Sequence, residues 1–232
     1  MKKSKQLYIS MSRGEKILGW LYMAFSLLVL PSALIWGNGQ LADPLNDALL
    51  NFVFYLTNFV AAICIFRRFL RASASAAWQD IWNFIQAVVL GYVAYLAATK
   101  AMDFIYAHLM PGFSNINDAV IGELAGVNYP LLFLGVVFMA PLTEETLYRG
   151  LIFRELWQTS KTAAYLVSMA AFAAIHVLGY IGSYDLSWLL LCFIQYLPAG
   201  LCLAWTYTKA DNIFAPMVVH AIVNAAAIGA LR

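Results

Sequence analysis

The sequence predicts an all-α, polytopic transmembrane helix bundle of about seven spans. Three observations carry that expectation. Of 232 residues, 63% are hydrophobic and only 11% charged. Mean hydropathy is +0.75 over the whole length, and apolar stretches long enough to cross a bilayer recur almost end to end. A soluble domain carries roughly 25% charged and about 45–50% apolar residues, so an ordinary water-soluble fold is excluded. Disorder, collagen and coiled coil are excluded too, because no long segment is polar, glycine-periodic or heptad-patterned. No low-complexity linker divides the chain, which reads as a single membrane domain over 1–232.

A hydrocarbon core of about 30 Å takes roughly 20 mostly apolar residues per helix. Seven stretches qualify: 17–36, 49–66, 84–101, 129–148, 163–181, 186–207 and 212–231. The first follows a basic leader (Lys2, Lys3, Lys5, Arg13, Lys16) that resembles a signal peptide, but its apolar run is too long for one and more spans follow, so it reads as a retained helix. Between the second and third stretches, Trp78, Ile81, Trp82 and Ile85 recur at helical spacing beside Gln79, Asp80 and Asn83. This predicts an interfacial turn of helix with tryptophans at headgroup depth. The stretch 102–128, with Pro111, Gly112, Asn115, Asn117 and Gly126, is expected to be the longest external loop.

Charge placement orients the bundle. All of the 14 basic residues except Lys100 and Arg232 fall in one alternating set of connections: the leader, then Arg67, Arg68 and Arg71, then Arg149, Arg154 and Lys161, then Lys209. By the positive-inside rule the N-terminus is cytoplasmic and the C-terminus outside, which an odd number of spans satisfies. The short basic N-terminus and brief loops suggest a prokaryotic plasma membrane. A net charge of +2 without a dense basic patch argues against nucleic acid as a partner. Cys64, Cys192 and Cys202 lie in apolar runs without a CxxC spacing and read as small buried packing residues.

Ionisable groups inside a span cost a few kcal/mol each by insertion scales, so each needs a reason. The fourth stretch ends in Pro141-Leu142-Thr143-Glu144-Glu145-Thr146-Leu147-Tyr148-Arg149. The fifth carries Phe172 and His176, and the seventh Pro216, His220 and Asn224. Adjacent helical positions differ by about 100°, so Glu144 and Glu145 face different ways. Glu145 and Arg149 are four apart, acid first, the favourable order for an ion pair. Glu144 has no cation on its own helix, and a desolvated, unpaired carboxylate is a stronger base when ionised. Read singly, Glu144, Glu145 and Arg149 could be an interfacial charge cluster, and His176 or His220 with Asn224 a polar helix contact. Three such sites on three spans weaken those separate readings. His108 falls in the expected external loop and has no such role. Pro141, Pro198 and Pro216 should each free a carbonyl and bend a helix, as is tolerated beside a water-filled cavity.

These residues resemble the CPBP family of intramembrane proteases, also called the Abi or CAAX-protease family, which includes type II CAAX prenyl endopeptidases and bacterial relatives linked to bacteriocin self-immunity. Its signature is EExxxR, FxxxH and HxxxN, each on its own helix. All three stand here in order as Glu144, Glu145 and Arg149, then Phe172 and His176, then His220 and Asn224. The resemblance covers about 130–232 and leaves the spans within 17–101 without a motif. It implies an endopeptidase acting on a membrane-associated, CAAX-type protein or peptide. Glu144 and His176 would activate a water, His220 and Asn224 would stabilise the oxyanion, Arg149 would orient the glutamates and Phe172 would pack against the site. The resemblance leaves the cofactor as none or zinc, with Glu144, His176 and His220 as the ligand set in the second case; the absence of HExxH favours the metal-free reading. A non-catalytic immunity or scaffold protein is the alternative function. A transporter or proton relay is disfavoured because no inverted repeat is apparent.

Overall fold

A computed structural model of the chain describes residues 7–230; Lys2, Lys3 and Lys5 of the basic leader, and Arg232, lie outside the described residues. Apart from an isolated bridge between Ile181 and Tyr184, the described residues form helices and their connections: α1 (Arg13–Leu28), α2 (Leu30–Asn38), α3 (Asp47–Ile65), α4 (Arg67–Gln79), α5 (Ile81–Leu109), α6 (Ile116–Trp157), α7 (Lys161–Leu178), α8 (Leu186–Ala210) and α9 (Phe214–Gly229). The chain is an integral membrane protein of all-α class. Five helices (α3, α5, α6, α7 and α8) are each long and apolar enough to cross a bilayer. The first predicted stretch is broken: α1 and α2 meet at a 48° bend. Pro31, in the first turn of α2, removes a backbone donor and crowds the preceding turn, which accounts for the break. The seventh stretch is α9, whose 16 residues give about 24 Å of helix, short of a full hydrocarbon core.

The expected external loop over 102–128 is mostly helix. Helix α5 continues to Leu109 and α6 begins at Ile116, so the irregular stretch shrinks to residues 110–115, the Pro111-Gly112 connection and the Asn115 cap, and a kink further on. Asn115 is a helix start, not a loop residue: its side-chain oxygen accepts from the N–H groups of Asn117 and Asp118. Helix α6 kinks at Asn128, whose φ of −154° and ψ of 85° leave the helical region two residues before Pro130. The Asn128 side chain then caps the renewed helix by accepting from Leu131 N. Two further expectations are corrected. Pro216 lies in the first turn of α9, where no helical donor is lost, so it bends nothing. Cys64 is exposed, whereas Cys192 and Cys202 are buried.

The interfacial segment is longer than expected. Helix α4 starts at Arg67, buries Phe69 and Leu70 against the bundle and leaves Trp78 exposed, as α5 leaves Trp82 in its first turn. Its first turn is capped from a distance: Glu15, already in a capping box with Ser12, accepts from the N–H groups of Arg68 and Phe69. The chain before α1 is tied down as well. Arg154 donates to the carbonyls of Leu7 (2.6 Å) and Ile9 (3.1 Å), and Tyr8 N–H to Asp211 (3.2 Å). Around this end Phe66, Phe69, Leu151, Phe153, Leu203 and Tyr207 form the main apolar core. Between lipid-bathed helices, packing and small residues, rather than the hydrophobic effect, hold neighbours together. Gly200 of α8 illustrates this: a Cβ there would come within 2.9 Å of the Met169 backbone on α7.

Candidate active site

Helix α6 carries the acidic motif in widened, π-helical turns, Leu134–Met139 before it and Thr146–Phe153 beginning within it. Such turns loosen the backbone ladder and are frequent at functional sites. One carbonyl that they free finds its partner on a neighbouring helix. In the first π turn Ala140 N–H bonds Gly135 O, so the next donor in register, at Pro141, does not exist. Asn224 of α9 supplies it, its amide donating to Val136 O at 2.8 Å. Ser168 of α7 also donates to Tyr148 O, in the second π turn, at 2.8 Å. The π turns thereby fix α6 against the two helices that carry His176 and His220.

Glu145 and Arg149 are fully buried. Their side chains meet at 3.1 Å, one turn apart. Arg149 also donates to Gly200 O at 3.1 Å and lies over the Phe172 ring, 4.4 Å from its centre. His220 Nδ1 donates to the same Glu145 oxygen at 3.0 Å, while its Nε2 lies 4.0 Å from Glu144 Oε2. One imidazole thus stands between two adjacent carboxylates that point in different directions, each facing one ring nitrogen. The hydrogen bond to Glu145 fixes the tautomer of a neutral ring, with the proton on Nδ1 and a lone pair on Nε2 toward Glu144. Glu144 is partly exposed, and its Oε2, Glu145 Oε2 and Arg149 Nε are buried without a hydrogen-bond partner. Buried polar atoms of this kind are rare unless a site uses them.

His176 is placed differently. Its Nδ1 bonds the Phe172 carbonyl at 2.8 Å, and its ring stacks on Tyr196 of α8, centres 4.1 Å apart. No hydrogen bond joins it to Glu144 or His220 among the described residues. Phe172 is the hub: its ring meets His176 (4.8 Å), His220 (5.6 Å), Tyr148 (6.2 Å) and the Arg149 guanidinium. The structure therefore gathers all seven motif residues around Phe172 and the α6 π turns, with Asn224 bonded to the backbone and His108 on a remote exposed surface. Tyr196 and Gly200 also enter the site and were not singled out in the sequence. Gly200 lies four residues from Tyr196, on one face of α8, but neither residue type stands out in an apolar run.

Glu144, His176 and His220, the set that would hold zinc, do not fit the ion as placed. Among the described residues, no three His, Cys, Asp or Glu lie close enough to hold a metal. Each ring commits only Nδ1, to Glu145 and to the Phe172 carbonyl, an outer bond that ligation through Nε2 would tolerate, so the spacing of the set is what argues against the ion.

Residues 126–226 match the family model for type II CAAX prenyl endopeptidase Rce1-like proteins. The chain is also similar to UPF0177 protein YxdF of Lactococcus lactis subsp. lactis, 29% identical over 141 residues, a stretch covering 59% of this chain and 71% of that protein. No solved structure matches. The segment matched to the family contains all three motifs and the helices that bring them together.

Proposed function

We propose that this chain, similar to the CAAX-protease (CPBP) family through the helices that carry its three motifs, is an intramembrane endopeptidase of the glutamate type. The observation that carries the reading is the split between the adjacent acids. Glu145 is locked between Arg149 and His220, whereas Glu144 is held by no cation and faces the site at 19% side-chain exposure. Glu144 is the general base: it takes a proton from a water, whose oxygen attacks the peptide carbonyl carbon. His176 offers its uncommitted Nε2 to the same water. The carbonyl oxygen becomes an oxyanion, met by the second amide proton of Asn224 and by His220, which takes up a proton from solvent on Nε2 before the attack and keeps it through the cycle as an imidazolium that Glu145 stabilises through Nδ1. Glu144 then returns the proton to the leaving amine as the C–N bond breaks. The substrate is a membrane-associated protein or peptide, CAAX-type by family resemblance.

Glu144→Gln tests the base. It preserves size and cannot take a proton, so turnover should fall by about 10²–10⁴-fold while the protein folds as the parent does. The measurement compares membrane peptides by mass spectrometry in cells expressing the parent or the variant, with elemental analysis of the purified parent alongside. A loss under about tenfold would remove Glu144 as base. Stoichiometric zinc that vanishes in His176→Ala and His220→Ala would make those residues ligands and replace the mechanism.

A further inference from the structure

We infer that Tyr196 is a positioning residue that fixes the imidazole of His176 in one orientation and one tautomer; the inference rests on the proposed role of His176 in the site. The bond from His176 Nδ1 to the Phe172 carbonyl is local, from one residue to its own preceding turn. It ties one edge of the ring and leaves both faces to be held by neighbouring residues. What restrains the ring is therefore its two faces. Phe172 covers it obliquely at 4.8 Å and 54°, and Tyr196 lies nearly parallel at 4.1 Å and 25°. Offset stacking of this kind is directional as well as cohesive.

Tyr196 is itself held from a different helix. Its hydroxyl donates to Asp118 in the first turn of α6 at 2.7 Å and accepts from the Asn117 amide at 3.1 Å. Neighbouring contacts tighten the same junction: Asn115 donates to Gln195 at 2.7 Å, and Tyr180 donates to Asn117 at 3.4 Å. Asp118 to Tyr196 to His176 is thus a chain of contacts from the start of α6, across α8, to the end of α7. It leaves Nε2 of His176 without a hydrogen bond among the described residues, with the ring unable to swing that atom away. The consequence for catalysis is geometric, since a misplacement of about 1 Å can cost roughly 10²-fold in rate.

The test uses the full chain in detergent micelles with ¹⁵N-labelled histidine, assigned with His108→Asn and His176→Gln. In the parent, His176 should show the Nδ1–H tautomer, and its ring protons should be shifted upfield by the Tyr196 ring. Tyr196→Leu should abolish that shift and give averaged tautomers. Tyr196→Phe and Asp118→Ala both keep the ring and lose the bond between Tyr196 and Asp118, so each should weaken the shift without abolishing it. With a farnesylated CAAX peptide as probe, Tyr196→Leu should lose roughly tenfold or more in kcat with little change in KM, and Tyr196→Phe should recover most of it. A parental histidine spectrum in Tyr196→Leu overturns the inference, as does parental kcat in that variant. If the parent leaves the peptide intact while the spectra change as expected, the positioning stands and the endopeptidase reading is what fails.

Discussion

His176, half-buried, and His220, buried, pack against the same phenylalanine, yet they are held by opposite kinds of contact. His220 on α9 stands between two carboxylates of α6, 3.0 Å from Glu145 and 4.0 Å from Glu144. His176 on α7 touches no carboxylate among the described residues; its own helix carbonyl and two aromatic rings hold it. One ring is a member of a charged knot that also contains Arg149 and the Gly200 carbonyl. The other is presented by apolar surfaces, with a nitrogen left over. Where a charge is buried, each member protects the others from desolvation, so fold and chemistry are hard to separate. Where an imidazole is merely framed, chemistry can be removed and the fold left standing. Substitutions around the two rings should therefore diverge in a defined order.

The largest effect is expected at Arg149. Removing one partner of a buried ion pair leaves an uncompensated charge, at a cost of about 3–5 kcal/mol. Arg149→Ala also strips the Gly200 carbonyl and the Phe172 face of their partner. The variant should accumulate poorly, and what is purified should melt well below the parent in detergent. Adding Glu145→Gln should recover much of the lost stability, because the carboxylate that Arg149 had paired is then neutral. Equal melting of Arg149→Ala and parent would show that the knot contributes nothing to the fold.

Next comes His220→Gln. The amide can still donate to Glu145, though from a different reach, so the loss should lie near the lower end of about 1–3 kcal/mol for a perturbed buried hydrogen bond. Thermal unfolding in detergent reads it, and turnover should vanish as well, since no imidazolium can face the oxyanion. His220→Leu, with no donor at all, should be clearly less stable than His220→Gln. If the two melt alike, the 3.0 Å contact with Glu145 carries no weight.

Much of this contrast was legible before any coordinates. Ionisable residues in apolar runs are conspicuous because they are costly, so Glu144, Glu145, Arg149, His176 and His220 stood out, and the four-residue spacing paired Glu145 with Arg149 correctly. The seven apolar stretches each became helix for the same reason: a lipid-facing backbone must satisfy itself internally. Boundaries fared worse. Asn115, Asn117 and Asp118 read as loop residues because polar side chains favour turns, whereas here one caps a helix and the others grip Tyr196. The break after Leu28 had a local cause in Pro31 that hydropathy averages away. Ser12 and Glu15 carry a capping-box spacing, so α1 had a readable start, but nothing in that spacing foretells that Glu15 also caps α4, 53 residues on. The Asp118–Tyr196 contact spans 78 residues, and a tyrosine in an apolar helix has no periodicity that marks its partner.

The smallest effect on the fold is expected at His176, where the effect on chemistry should be among the largest. The Phe172 carbonyl that His176 bonds belongs to the same helix turn and is supplied by the backbone ladder, so His176→Gln strands no buried charge. It forfeits a stack worth about 0.5–1.5 kcal/mol beyond area burial, partly offset by the better helix propensity of glutamine. Melting should therefore stay close to the parent and far above Arg149→Ala. Turnover should still collapse, because glutamine has no basic nitrogen to offer the water. A His176→Gln protein that unfolds as readily as Arg149→Ala would place His176 inside the charged knot and erase the distinction between the two rings. One that melts like the parent and also cleaves like it would leave Glu144 to activate the water alone, with His176 a packing residue.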